Sequence, residues 1–179
     1  DILYDGRLGI IIGNWNGYHR VYVPLRDSFL DYATDEFREP SKVRTVISAD
    51  FDNDGYDEIF FNNIGQPNRM FRVREGGLLE PVQLSAALEA NGLGTGAAVA
   101  DIDNDGVLDL LVAHGERAPQ PLSLFRADID SPGRYLRIAP LTDHGAPARG
   151  ATVILETNMR VHAKTIDAGS GYLCQMEPV

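Results

Sequence analysis

The nine-residue pattern Asp-x-Asp-x-Asp-Gly-x-x-acid occurs twice, as Asp50-Phe51-Asp52-Asn53-Asp54-Gly55-Tyr56-Asp57-Glu58 and Asp101-Ile102-Asp103-Asn104-Asp105-Gly106-Val107-Leu108-Asp109. In a tightly curled loop, alternate side chains at positions 1, 3 and 5 converge on one point. The carbonyl at position 7 can turn inward, the acid at position 9 closes the cage, and glycine at position 6 permits the bend. Neither copy contains Lys or Arg, so converging carboxylates would repel unless a cation sat among them. Oxygen-only donors indicate a hard ion, and Ca²⁺ accepts an irregular cage of roughly 6–8 oxygens more readily than Mg²⁺ does. The competing reading is a pair of metal-free turns, since Asp, Asn and Gly favour turns unaided. Recurrence with the ninth-position acid retained favours the ion.

The pattern also sets the fold. Asp50 and Asp101 lie 51 residues apart, and 49 residues before Asp50 the same frame opens as Asp1-Ile2-Leu3-Tyr4-Asp5-Gly6-Arg7-Leu8-Gly9. Leu at position 3 and Gly at position 9 remove two of its acids, so this loop is expected to bind weakly or stay empty. After each loop comes a short apolar run: Ile10 to Asn14, Ile59 to Asn63 and Leu110 to His114. Their length, composition and bounding Gly or Asn read as buried strands. A further strand follows each time, at Arg20 to Val23, Arg69 to Val73 and Leu122 to Arg126, and Val43 to Ala49 and Ala97 to Ala100 precede the complete loops. With a fourth strand near Leu79 to Leu84, one period of about 50 residues is the size of a β-propeller blade. The expected fold is therefore all-β: about two and a half blades over residues 1–133, with the remaining blades upstream or in partner chains. From Arg134 the period breaks. Tyr135 to Ile138, Ala151 to Thr157 and Arg160 to Ile166 read as strands of a separate small β domain over 134–179, cut short at Val179.

Composition narrows the function. Net charge is -10, which argues against nucleic acid, whose phosphates need basic stripes. The single cysteine, Cys174, excludes a disulfide framework within the chain. No run approaches the roughly 20 apolar residues of a membrane span. His19, His114, His144 and His162 show no transition-metal spacing, and no serine sits in a nucleophile elbow. Gly92-Leu93-Gly94-Thr95-Gly96 precedes a strand rather than a helix, so it reads as a tight turn rather than a phosphate loop. Trp15, Tyr18 and Tyr22 fit either an exposed aromatic contact or packing between blades.

The acidic loops followed by apolar strands resemble the FG-GAP, or integrin-α-type, propeller repeat. Gly13 to Gly17, Val43 to Asp54, Glu58 to Ile64 and Pro121 to Arg126 resemble the cartilage acidic protein family more narrowly, and Ala168 to Val179 is similar to that family's ASPIC/UnbV domain. The resemblance implies a secreted protein whose propeller carries calcium loops. It implies one ligand set of Asp50, Asp52, Asp54 and Glu58 with the Tyr56 carbonyl. The other is Asp101, Asp103, Asp105 and Asp109 with the Val107 carbonyl. Glu58 stands where the repeat usually has Asp and reaches one methylene further. The expectation is a non-catalytic extracellular scaffold with two structural Ca²⁺ ions and a protein or glycan partner. An accessory module of a larger secreted enzyme, or a bacterial adhesin or carbohydrate-binding propeller, are the alternatives.

Overall fold

The computed structural model describes residues 1–127, 129 and 133–167, and across them the repeat becomes three antiparallel sheets and a hairpin. The first sheet holds β1 (Ile10–Ile12), β2 (Arg20–Pro24) and β3 (Phe29–Asp31). The second is a complete four-stranded blade of β4 (Val43–Ala49), β5 (Glu58–Asn63), β6 (Arg69–Val73) and β7 (Leu79–Val82). The third holds β8 (Gly94–Ala100), β9 (Asp109–His114) and β10 (Ser123–Phe125), and the hairpin pairs β11 (Thr152–Glu156) with β12 (Val161–Thr165). Within each sheet, strands adjacent in sequence are adjacent in space, the meander of a propeller blade. The architecture is all-β and that of a partial propeller; the described residues do not close a ring.

Strand β5 shows how the blades stack. All six of its residues are buried, because its two faces meet two different neighbours. Ile59 and Phe61 join Phe71, Val73 and Leu79 of their own blade and Val21, Val23 and Phe37 of the first in one core. Phe60, on the opposite face, packs with Ile47, Ala97, Leu110 and Val112 in a second core, shared with the third blade. The period-2 alternation of a strand thus serves two cores at once. At the ends of the stack the corresponding side chains lie open: Ile10, the counterpart of Ile59, is 46% exposed, and Leu111, the counterpart of Phe60, is 37% exposed.

The repeat extends to irregularities. The register between β4 and β5 shifts between Val43 and Thr45, and that between β8 and β9 shifts between Gly94 and Gly96, at equivalent positions. Each bulge bends an inner strand where the chain enters its blade.

A polar latch links the first blade to the second. The Asn14 amide N–H donates to His19 Nδ1 (3.1 Å), as the Asn63 amide donates to Asn68 Oδ1 (2.8 Å) one repeat later. With Nδ1 accepting, the His19 proton belongs on Nε2, which faces Ser41 Oγ at 3.0 Å; Ser41 then donates to Asn63 Oδ1 (2.8 Å). Burial, with help from the Arg69 charge, pushes His19 down to about 4. A histidine held below its unfolded value of about 6.5 stabilises the fold fully above that pH, and the contribution is lost as pH falls through the folded value. Stability is therefore expected to drop by about 3 kcal/mol between pH 6.5 and 4 on this account. His19→Asn, which copies the second repeat, should flatten that part of a urea-denaturation pH profile. An unchanged slope would show that His19 does not titrate as its surroundings dictate.

Three differences from the sequence reading have physical causes. Tyr135 to Ile138 is not a strand: among the described residues its apolar side chains find no partner strand, Leu136 is 66% exposed, and a Cβ on Gly106 would overlap the Tyr135 ring. The segment runs over an acidic loop instead. Strand β3, Phe29-Leu30-Asp31, is too short to show alternation in the sequence. The one-turn helix α1 (Asp35–Arg38) is too short to show helical periodicity, although the Phe37 amide donates to Thr34 Oγ1 (3.2 Å) as an N-cap requires. Its Phe37 ring sits 5.1 Å from that of Phe61 and 4.9 Å from that of Phe71. Trp15 is half exposed, with the Arg44 guanidinium 4.4 Å from its ring centroid; Tyr18 is exposed. Cys174 and the segment Ala168 to Val179 lie outside the described residues.

Candidate metal centre

The second and third acidic loops join β4 to β5 and β8 to β9, the first leads into β1, and all three share the same curl. Position 4 has a positive φ in each, at Tyr4 (53°), Asn53 (54°) and Asn104 (59°), as does the glycine at position 6, at Gly6 (86°), Gly55 (83°) and Gly106 (86°). Asn tolerates this region and Gly enters it freely. The carboxylate at position 1 accepts the position-6 amide: Asp1 from Gly6 (2.7 Å), Asp50 from Gly55 (2.9 Å) and Asp101 from Gly106 (3.1 Å). The carboxylate at position 5 accepts the position-7 amide: Asp5 from Arg7 (3.0 Å), Asp54 from Tyr56 (2.8 Å) and Asp105 from Val107 (2.8 Å). The curl is therefore built by backbone donors to the acids themselves.

In the two complete loops this curl gathers three carboxylates. Asp50, Asp52 and Asp54 each bring an oxygen within 4.8 Å of the others, and so do Asp101, Asp103 and Asp105. Oxygens around one Ca²⁺, at about 2.3–2.6 Å from it, lie no more than about 5 Å apart, so both clusters have the right size. Asp50 Oδ1 is buried and has no hydrogen-bond partner, an atom that wants a cation. Burial pushes the Asp50 carboxyl up to about 6. The donor set fits a hard divalent ion.

The acids at position 9 are placed differently. Glu58 Oε2 accepts the Phe51 amide (3.0 Å) and Asp109 Oδ2 the Ile102 amide (3.1 Å), and neither acid is gathered into the three-carboxylate clusters. Glu58 is almost fully buried, and burial pushes it up to about 7 despite the nearby guanidinium of Arg72. Arg72 and Arg126 are the site residues that the motif did not disclose. Arg72 Nε lies 3.1 Å from Glu58, and its Nη2 pairs with Asp52. Arg126 Nη1 lies 2.6 Å from Asp103 and its Nε 3.7 Å from Asp109. The signal that would have found them is the strand pairing, since β6 sets Arg72 directly opposite Glu58.

The first loop has been turned to packing. Leu3 at position 3 lies against the core shared by the first two blades. The Tyr4 hydroxyl accepts the Asp57 amide, and its ring stands edge-on to Tyr56 (4.9 Å) and His162 (5.2 Å). Strand β12 docks here. Val161 bridges to Asp5, and Arg160 stacks on Tyr56, 4.0 Å from the ring centroid. Arg160 also donates to the carbonyls of Gly55 (3.0 Å) and Asp54 (3.3 Å). Burial alone would raise Asp57, but the Lys164 ammonium at 2.8 Å and the Ser48 hydroxyl hold it below the usual carboxylate range.

Three sheets, each with an acidic loop leading into the strand at the same repeat position, define the class, and residues 50–112 match the FG-GAP-like repeat. The particular relatives are cartilage acidic protein 1 of Mus musculus and of Homo sapiens, each 50% identical over the whole of this chain, and that of Xenopus tropicalis at 48%. The chain is homologous to them throughout and spans 30%, 29% and 30% of their respective lengths. The family resemblance carried by the loops and strands is thereby shown.

Proposed function

We propose that this chain is part of an extracellular, calcium-stabilised interaction scaffold without catalysis of its own. The observation that supports this most directly is the duplicated cluster of three carboxylates, one with a buried oxygen lacking any partner. In this reading Asp50, Asp52 and Asp54 hold one ion and Asp101, Asp103 and Asp105 the other. Glu58, Asp109 and the carbonyls of Tyr56 and Val107 complete the sets implied by the resemblance. A bound Ca²⁺ would neutralise the carboxylates and tie the two ends of each loop together, so its binding energy becomes folding energy. The whole protein then presents its blades to a partner outside the cell, a protein or a glycan; the acidic balance disfavours nucleic acid. No described helix is long and apolar enough to cross a membrane.

The test is calorimetric titration of the full-length protein with calcium chloride. Asp101→Asn combined with Asp103→Asn is expected to lower the stoichiometry by one ion relative to the unaltered protein. Equal stoichiometry in the two proteins would remove the third blade's loop from the reading, and absence of calcium heat in both would remove calcium altogether.

A further inference from the structure

The two arginines beside the acidic loops occupy one place in the repeat. The pairing of β5 with β6 sets Arg72 across from Glu58. That of β9 with β10 runs Leu110 against Phe125, which sets Arg126 across from Asp109. Both are therefore cross-strand partners of position 9. Both guanidiniums also bridge the same two acids, at positions 3 and 9: Asp52 with Glu58, and Asp103 with Asp109. In the first repeat, Ile10 pairs with Tyr22, so the residue across from position 9 is Val23. There positions 3 and 9 hold Leu3 and Gly9 in place of acids. Arginine is present in the two repeats that have both acids and missing from the one that has neither.

Cross-strand charge pairs stabilise sheets in general, and that alone would account for an arginine opposite position 9. It does not account for the second arm of each guanidinium, which reaches a carboxylate of the three-acid cluster. Nor would sheet pairing require the same second contact, to the acid at position 3, in two blades. The shared geometry ties each arginine to the oxygens that the proposed ion would use.

We propose that Arg72 and Arg126 set the ion affinity of their loops, an inference that rests on the calcium reading above. Without an ion, each guanidinium holds the carboxylates of positions 3 and 9 in place and offsets their repulsion. When an ion is bound, the same positive charge opposes it and competes for the oxygens of those two acids. The loops are thereby kept ordered when empty and moderate in affinity when filled, which suits a calcium-rich surrounding. The first repeat, with Leu3 and Gly9 at those two positions, has Val23 where the others have arginine.

Arg126 is the better target, because it is 57% exposed as a side chain while the second loop also has Arg74 3.7 Å from Asp54. A unit charge within about one side-chain length of a divalent ion alters its affinity by about tenfold even at the dielectric of water. Arg126→Met, which keeps the aliphatic stem, is therefore expected to bind calcium at that loop about tenfold more tightly in calorimetric titration of the full-length protein. Its melting temperature in excess chelator should fall below that of the unaltered protein. Arg126→Lys should keep the affinity near its original value, and Arg126→Gln serves as the neutral variant if the methionine protein does not fold. Equal or weaker calcium binding in the neutral variant, with the unaltered protein binding at that loop, overturns this inference and leaves the calcium reading standing. No calcium binding by the unaltered protein overturns both.

Discussion

Calcium at about a thousand times its dissociation constant is expected to add about 4 kcal/mol to the unfolding free energy for each occupied loop, because the ion binds the curled loop and not the unfolded chain. In a domain of this size 1 kcal/mol shifts melting by roughly 2–4 °C, so each loop is worth on the order of 10 °C. Scanning calorimetry of the full-length protein in millimolar calcium and in excess chelator measures the difference. Charge decides the effect. Asp50 Oδ1 is buried without a partner, and the curl keeps one oxygen each of Asp50, Asp52 and Asp54 within 4.8 Å of the others. Arg72 and Arg126 offset part of that repulsion, which is why the loops need not unravel in chelator. Identical melting in the two buffers would mean that the arginines suffice and that no ion belongs in the loops.

The second large effect is expected from Phe61→Ala, at about 3–5 kcal/mol of stability. Phe61 is fully buried, with the rings of Phe37, Phe71 and His19 at 5.1, 6.0 and 4.8 Å. These rings come from β6, from the one-turn helix and from the loop before β2, so none can move into the gap without dragging backbone with it. The conservative Phe61→Leu should cost less, because it leaves a smaller cavity. Urea denaturation of the two variants, compared at matched pH and calcium, gives the values. A loss below about 1 kcal/mol in the alanine variant would show that the first two blades do not share the core described.

Much of this fold was legible in the sequence because the repeat places like residues in like positions. Ile59-Phe60-Phe61 and Leu110-Leu111-Val112 are unambiguous as buried strands, and the Asp-Gly spacing dictates the loops that precede them. The three carboxylates at positions 1, 3 and 5 converge as the spacing requires. Legibility ended where the determining partner was distant in sequence. Arg72 and Arg126 reach the loops across a strand pairing, so a search confined to the nine residues of the motif finds no cation. Tyr4 sits in a degenerate copy of the motif, and only the folded chain reveals that it supports Asp57 and His162. Tyr135 to Ile138 has the composition of a strand, yet the decisive fact, a free sheet edge to join, is not a property of the segment.

Arg160 illustrates the same limit. It lies more than a hundred residues from the carbonyls it binds, and nothing about its neighbours Met159 and Val161 points to a loop of the second blade. The link runs through Tyr56, whose ring is held between Arg160 and Tyr4. An aromatic residue at that variable position of the motif is what gives the hairpin a surface to stack on; the third blade, with Val107 there, offers none.

Strand β5, with one face in each of two cores, has a further consequence for how the protein comes apart. The middle blade cannot open by itself, since withdrawing β5 takes Ile59 and Phe61 out of one core and Phe60 out of the other. Amide hydrogens of β4 and β5 are therefore expected to exchange with solvent more slowly than those of the two flanking sheets.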